Sequence, residues 1–297
     1  MNIWEQIANQ FFKKEFEDYK KKTAAGRRPD SVEFTTIDKD VMRRDLTINA
    51  LFYDISTEEV VDLVGGIDDL NNGVVRTVGN PRERFNEDRL RIMRIIRFAA
   101  RTGHEVDSLA DQELQKDASM QGISKERIRD EFLKGIKSAL SVKYFFELLN
   151  KYKLFDWIFT GLNVATDFNN EKDPIVAIAY LLRNNKLQDV SDCLQNSKYT
   201  ANEIKAISFL LLLKKFNGTD VYELKKAEEK SKASEDQIMK FANLTNMRMD
   251  LIGAFCKFKL RVTGQMLQNM GVPNGAEMGA KIRELEDQNF SEFLKGY

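Results

Sequence analysis

The chain has 297 residues, of which 42% are apolar and 31% charged, and this mix predicts a globular, helix-rich protein of roughly two or three compact units. Its 46 basic residues balance 46 acidic ones, which argues against strong non-specific binding to nucleic acid. His104 is the only histidine, which excludes histidine-based metal sites and Ser/His/Asp or Cys/His catalysis. Two cysteines indicate a reducing compartment, and no apolar run is long enough to cross a membrane, so we expect a cytoplasmic protein.

The N-terminal part of the chain predicts a helix and then a short strand. Apolar and aromatic residues recur with a helical period between Trp4 and Tyr19. After Gly26-Arg27-Arg28-Pro29-Asp30, the alternation of Val32 and Phe34 predicts a strand.

A second helix and a β-hairpin are predicted next. Asp38 is placed to cap a helix that runs through the pair Arg43-Arg44. Ile48–Ile55 then predicts a strand, and a tight turn at 56–58 leads to Val60–Leu63 as its hairpin partner.

The segment between this helix and the hairpin carries residues suited to a nucleotide. A carboxylate and an amide, Asp45 and Asn49, can hydrogen-bond ribose hydroxyls, which distinguishes a ribonucleotide from a deoxyribonucleotide. Arg44 can hold a phosphate through a bidentate contact. The alternative is that both arginines are solvated and Asp45 is a local cap. Gly65 and Gly66, between Asp62 and Arg76, give backbone freedom and fit either a hinge between two lobes or a plain turn.

The most informative segment runs from Glu87 to Arg101. Asn86 is a good N-cap residue, and acids in a first helical turn suit the helix dipole. Arginines recur with a helical spacing that puts them in one stripe, at Arg91, Arg94, Arg97 and Arg101. A helix that is otherwise apolar would not bury four guanidiniums, so we expect the stripe to face a cleft that holds an anion. Asp88 and Arg91 offer an acceptor and a fork of donors able to recognise a base edge.

The rest of the chain predicts packed helices. Ser124 is a cap candidate for an amphipathic helix extending to Ile136, which begins Ser124-Lys125-Glu126-Arg127. From Lys143 onward, apolar residues recur with helical spacing, which is typical of a helical core. Phe155, Trp157 and Phe159 can stack on RNA bases, but core packing is the better interpretation.

In this order, these motifs resemble those of the bacterial-type (class II) CCA-adding enzymes, or tRNA nucleotidyltransferases, and of the related bacterial poly(A) polymerases. The resemblance is dense from Gly26 to about Glu131 and returns at Val262-Thr263-Gly264 and Gly271-Val272-Pro273. It implies that Gly65 and Gly66 lie in a hinge and that the segment from Ser124 to Arg127 supports the nucleotide-selecting helix. It also implies three groups of nucleotide contacts: Arg44, Asp45 and Asn49 on ribose and phosphates, Asp88 and Arg91 on the base, and Arg94 and Arg97 on the triphosphate.

The resemblance also implies a magnesium-binding Asp-x-Asp strand that we do not find. Only 25 residues precede Gly26, and their apolar period differs from that of a catalytic strand. Asp38-Lys39-Asp40 spells the pattern but falls where the family has acids beginning a helix, and Glu15 or Glu17 cannot be aligned with a third carboxylate. We therefore assign no catalytic or metal residue and expect Mg²⁺ ligands from outside this chain. A separate polypeptide, an internal start of the gene, or loss of catalysis would each account for this.

We therefore expect a mostly α fold with a small N-terminal α/β part. Residues 1–64 would form a partial polymerase-β-like nucleotidyltransferase head, 65–140 a hinge and nucleotide-selecting neck, and 141–297 an all-α body and tail that binds tRNA. The expected activity is addition of all or part of CCA to the tRNA acceptor end from CTP and ATP, with a partner polypeptide carrying the aspartates. A poly(A) polymerase and a catalytically silent tRNA-binding protein are the alternatives, and a homo-oligomer is left open.

Overall fold

The computed structural model describes residues 36–297. The predicted helix between Trp4 and Tyr19, the predicted strand at Val32 and Phe34, and the two glutamates 15 and 17 lie outside the described residues. The chain divides into two units, Met1–Asp40 and Val41–Tyr297.

The predicted hairpin is present but shorter than expected. After helix α1 (Ile37–Arg43), a single 3-10 turn at Thr47–Asn49 replaces the start of the predicted strand. Strand β1 (Phe52–Asp54) then pairs antiparallel with β2 (Glu59–Val61). Phe52 and Val64 pack against a small core of three buried residues, Val41, Ala50 and Val78.

The segments around the larger core are α2 (Gly66–Asn71), β3 (Val74–Val75), α3 (Pro81–Glu87), α4 (Leu90–Thr102), β4 (Glu105–Val106), α5 (Ser108–Lys116) and α6 (Lys125–Ser138). Helix α4 lies at the centre. It packs against α6, against the helix at Val142–Lys151 and against the two short parallel strands β3 and β4, so its apolar residues Ile92, Met93, Ile95 and Ile96 are fully buried.

The remainder of the chain is helical, as predicted. Its helices are α7 (Val142–Lys151), α8 (Phe155–Ile158), α9 (Pro174–Leu182), α10 (Leu187–Asn196), α11 (Ala201–Leu213), α12 (Val221–Ser231), α13 (Glu235–Leu244), α14 (Met249–Lys257), α15 (Gly264–Asn269) and α16 (Ala276–Lys295). Helix α11 packs against α9, α10 and α12, and α16 packs against α12, α14 and α15. Phe155 and Phe159 are buried, which confirms their interpretation as core. Between Thr36 and Tyr297, no helix is both long and apolar enough to span a lipid bilayer.

Candidate functional site

The chain breaks between two helices at Asp88, so the expectation that Asn86 caps one continuous helix was wrong. Helix α3 is capped by Asn80, whose side chain accepts hydrogen bonds from two backbone amides, and Pro81 occupies its first turn. Asp88 has an extended backbone, and its Oδ1 accepts from the amide of Leu90 at 3.0 Å. Asp88 therefore lies just before α4 and binds the first amide of that helix through one carboxylate oxygen.

The other oxygen of Asp88 is held by the following helix. Arg127 Nη2 donates to Asp88 Oδ2 at 2.7 Å. Arg127 lies in the first turn of α6, which is capped by Ser124 as predicted, because the Ser124 hydroxyl accepts from the Arg127 amide. Asp88 is thus oriented from both sides and remains partly exposed.

Arg91 is held by residues of α3. Its Nη1 donates to Glu87 Oε2 at 2.5 Å and to the carbonyl of Arg84 at 3.1 Å, and its side chain is 16% exposed. The hydrogen bond from Arg91, together with that from Arg84, lowers the pKa of Glu87, so this carboxylate is charged at neutral pH. The two candidate base-selecting residues are therefore positioned by different partners, Asp88 by α6 and Arg91 by α3.

Arg94 contacts the candidate ribose carboxylate directly. Its Nε and Nη2 both lie 2.6 Å from Asp45 Oδ2. Asp45 is fixed by its backbone, since its carbonyl accepts from the amide of Val78 at 3.1 Å and the next residue, Leu46, bridges to Thr77. Arg94, the candidate contact to phosphate, and Asp45, the candidate contact to ribose, are therefore direct neighbours.

Arg97 is placed differently from the expectation that the whole arginine stripe faces a cleft. Its side chain is only 9% exposed, and its Nε donates to Glu131 Oε2 at 2.7 Å. Its guanidinium also lies 4.4 Å from the centre of the Phe98 ring. The argument from burial failed because Glu131, on α6, supplies the carboxylate that lets a guanidinium be buried.

Arg44 and Asn49 lie at the edge of this arrangement. Arg44 Nη1 donates to the carbonyl of Asn49 at 3.1 Å, and the Arg44 guanidinium lies 4.8 Å from the centre of the Phe52 ring. The backbone carbonyl of Arg44 accepts from Arg84 Nη2 at 2.7 Å. The sequence therefore identified neighbouring residues, but it missed Arg84, Glu87 and Glu131, which connect them. Glu131 was detectable as an acid on the apolar face of an amphipathic helix.

Gly65 and Gly66 form the start of α2, and both have a structural reason to be glycine. Gly65 has φ +76°, and the Asp62 carboxylate accepts hydrogen bonds from four successive amides at 64–67. A Cβ on Gly66 would lie 2.3 Å from the backbone oxygen of Thr47. The Thr47 hydroxyl in turn donates to buried Asp69 at 2.6 Å. Gly66 therefore lets α2 pack closely against the 3-10 turn, and Gly65 provides the left-handed backbone before it. Whether the pair also acts as a hinge stays a prediction.

Changing Gly66 to alanine is expected to destabilise the protein by about 1–3 kcal/mol, because a methyl group would overlap the carbonyl of Thr47 and the backbone would have to move. Gly279→Ala in α16 is the matched control, since its Cβ would meet only the Arg283 side chain at 3.8 Å. The control is expected to be neutral or stabilising by about 0.5–1 kcal/mol. Urea unfolding measures the free energy of unfolding of both variants. A Gly66→Ala protein as stable as the wild type would contradict the close packing of Gly66.

Carboxylates able to bind magnesium are not gathered in the described part of the chain. Across residues 36–297, no group of three or more His, Cys, Asp and Glu side chains lies close enough to hold a metal ion. Asp38 and Asp40 lie in the first turn of α1, as acids that begin a helix.

Two family models match the chain. One is described as Poly A polymerase head domain and covers residues 7–76. The other is described as Probable RNA and SrmB-binding site of polymerase A and covers residues 114–166. The first match includes Arg44, Asp45 and Asn49, and the second includes Arg127 and Glu131.

Similar proteins point to the same group. The CCA-adding enzyme of Ligilactobacillus salivarius is 30% identical over 283 residues, which is 88% of this chain and 70% of that protein. The CCA-adding enzyme of Lactobacillus helveticus is 29% identical over 282 residues, with 87% and 70% covered. Poly(A) polymerase I of Escherichia coli O157:H7 is 33% identical over 152 residues, but these are only 51% of this chain and 32% of that protein. The similarity to these two CCA-adding enzymes thus extends over far more of the chain than the similarity to Poly(A) polymerase I.

Solved structures share the fold. The Bacillus stearothermophilus CCA-adding enzyme in complex with CTP superposes with a TM-score of 0.65 at 20% identity, over 89% of this chain and 71% of that one. The Thermotoga maritima CCA-adding enzyme complexed with tRNA gives a TM-score of 0.59 at 19% identity, over 88% and 73%. At these identities the comparison concerns the fold, which is mostly helical with a small N-terminal α/β part.

Proposed function

This chain belongs to the family of CCA-adding enzymes, nucleotidyltransferases of the poly(A) polymerase superfamily, and we propose that it selects CTP and ATP for addition to the 3′ end of tRNA. The observation that supports this most is the network around α4. Asp88 and Arg91, the candidate base-selecting residues, lie near Arg94 in the sequence. Arg94 in turn contacts Asp45, the candidate contact to the ribose. A nucleotide needs these contacts together, to its base, its sugar and its phosphates.

The proposed roles follow from the donors and acceptors of each side chain. Asp88 accepts from, and Arg91 donates to, the edge of cytosine or adenine, while Asp45 and Asn49 contact the ribose. Arg44 and Arg94 neutralise the phosphates. Arg97 is buried against Glu131, so its role in this proposal is to hold α4 against α6 rather than to bind the triphosphate.

We further propose that magnesium ligands come from outside residues 36–297, on a partner polypeptide or on another part of the protein. Bound magnesium would activate the terminal hydroxyl of the RNA and stabilise the departing pyrophosphate. The described residues would bind and orient the nucleotide, and the helices from α7 onward would bind the tRNA acceptor end. The division at residues 64 and 140, a hinge at Gly65 and Gly66, and a cytoplasmic location belong to the same proposal.

The direct test is incorporation of labelled CTP and ATP into a tRNA that ends before its CCA, with magnesium and this chain alone. Incorporation of both nucleotides would establish the activity and would mean that the chain contains its own metal ligands. Incorporation of ATP without CTP would favour a poly(A) polymerase, which the shorter similarity to Poly(A) polymerase I keeps as a second candidate. Bound tRNA that is never lengthened would lead to a search for the partner polypeptide, and failure with that partner present would leave a tRNA-binding protein.

A further inference from the structure

Arg84 has an unusual position for an arginine in a highly charged stretch of sequence. It lies in α3, one turn before Asp88, and is only 8% exposed. Its Nη2 donates to the backbone carbonyl of Arg44 at 2.7 Å, and its Nη1 donates to Glu87 Oε2 at 2.5 Å. The buried guanidinium thus bridges two segments that are 40 residues apart in the chain.

Both partners of Arg84 hold candidate nucleotide-contacting residues. On one side, the guanidinium of Arg44 itself donates to the carbonyl of Asn49. The oxygen of Glu87 that accepts from Arg84 also accepts from Arg91, at 2.5 Å. In addition, the carbonyl of Arg84 accepts from Arg91 Nη1 at 3.1 Å. Arg84 therefore contacts the ribose and phosphate segment on one side and the base-selecting arginine on the other.

The geometry of this bridge suits arginine. A planar guanidinium holds its donors in a fixed fork, so the two Nη atoms of Arg84 reach a carbonyl and a carboxylate separately, whereas lysine carries its three donors on one nitrogen atom. The bridge is also poorly suited to stability alone, because Arg84 Nε is buried without a hydrogen-bond partner and Glu87 is half exposed. A buried charge with an unsatisfied donor is costly, which favours a role other than packing.

We propose that Arg84 is a positioning residue that sets the place of Arg91 relative to the ribose and phosphate segment, and thereby sharpens the choice of CTP and ATP. This inference rests on the proposed function of the same site. Loss of the bridge frees Glu87 and Arg91 to move together, so the guanidinium of Arg91 no longer meets the base edge at a fixed distance. Discrimination between bases then falls more than affinity for the triphosphate.

The test uses Arg84→Met in the full chain, which keeps an unbranched stem in place of the arginine stem and removes the guanidinium with its donors. Binding of CTP, ATP, UTP and GTP is measured separately by calorimetry. We expect the preference for CTP and ATP to fall roughly tenfold or more, as for loss of a well-placed bidentate contact. The matched control is Arg82→Met, because Arg82 is exposed on the same helix, two residues earlier. It is expected to retain the preference.

Arg84→Lys guards against a variant that fails to fold, since it keeps a charge for Glu87 but loses the fork whose two nitrogen atoms contact separate partners. We expect it to be folded and to lose part of the preference. A wild-type preference in either folded variant would overturn the role of Arg84 and leave the proposed function standing. Wild-type protein that binds all four nucleotides equally would instead overturn the proposed nucleotide selection, and the role of Arg84 with it.

Discussion

Replacing Arg91 with alanine is expected to abolish the preference for CTP and ATP while leaving the affinity for tRNA within several-fold. Cytosine and adenine both present an amino group beside a ring-nitrogen acceptor, which suits a carboxylate beside a guanidinium. Uracil and guanine present a carbonyl and a ring N–H in the same places, so Asp88 and Arg91 would oppose them. Each good bidentate contact contributes about 1–3 kcal/mol of discrimination, and removal of Arg91 removes the donor half of the pair.

The measurement compares incorporation of the four nucleotides by an active assembly containing wild-type or Arg91→Ala protein, with tRNA binding measured in parallel. Arg101→Ala is the matched control, since it removes an arginine from the last turn of the same helix, over the Phe98 ring. We expect Arg101→Ala to select nucleotides as the wild type does. Unchanged selectivity of Arg91→Ala in an active assembly would refute its assignment to base selection.

Local signals in the sequence predicted the elements that carry the site. The turn after Asp54 predicted the hairpin, and Ser124 predicted the start of α6, because both depend on residues within a few positions of one another. Apolar residues with helical spacing predicted the packed helices of the C-terminal half in the same way. The break at Asp88 was missed because the charged stretch around it also fits one continuous helix, although Asn80-Pro81 is the stronger start signal.

The carboxylates that pair with the arginine stripe could not be predicted. Asp45 is 49 residues from Arg94, and Glu131 is 34 residues from Arg97, so the pairing depends on how the helices pack. Spacing placed the arginines on one side of α4 correctly, but it could not say which of them has a buried partner. The sequence thus located a charged region, and the fold buries Arg97 against Glu131 while Arg91 and Arg94 stay more exposed.

Replacing Glu131 with glutamine is expected to destabilise the protein by about 3–5 kcal/mol, because it leaves the guanidinium of Arg97 buried without a carboxylate. The same carboxylate accepts from Lys134 at 3.1 Å and lies 4.0 Å from Arg94, so its loss affects a group of three cations. Urea unfolding at neutral pH measures the difference. Glu126→Gln is the matched control, an exposed acid in the first turn of the same helix, and is expected to cost less than about 1 kcal/mol.

The pH dependence of this difference separates the charge of Glu131 from its shape. Burial alone would raise the pKa of Glu131, but the attraction of Arg97 and the hydrogen bonds from Lys134 and Arg97 outweigh it and lower the pKa below its ordinary 4.5. A carboxyl whose pKa is lowered by folding stabilises the folded state above its unfolded pKa, and this contribution disappears as the pH falls through the folded pKa. The stability difference between wild type and Glu131→Gln should therefore be full at neutral pH and shrink below about pH 4.5. A difference that stays constant down to the acid transition would mean that glutamine disrupts packing and that the ion pair with Arg97 contributes little.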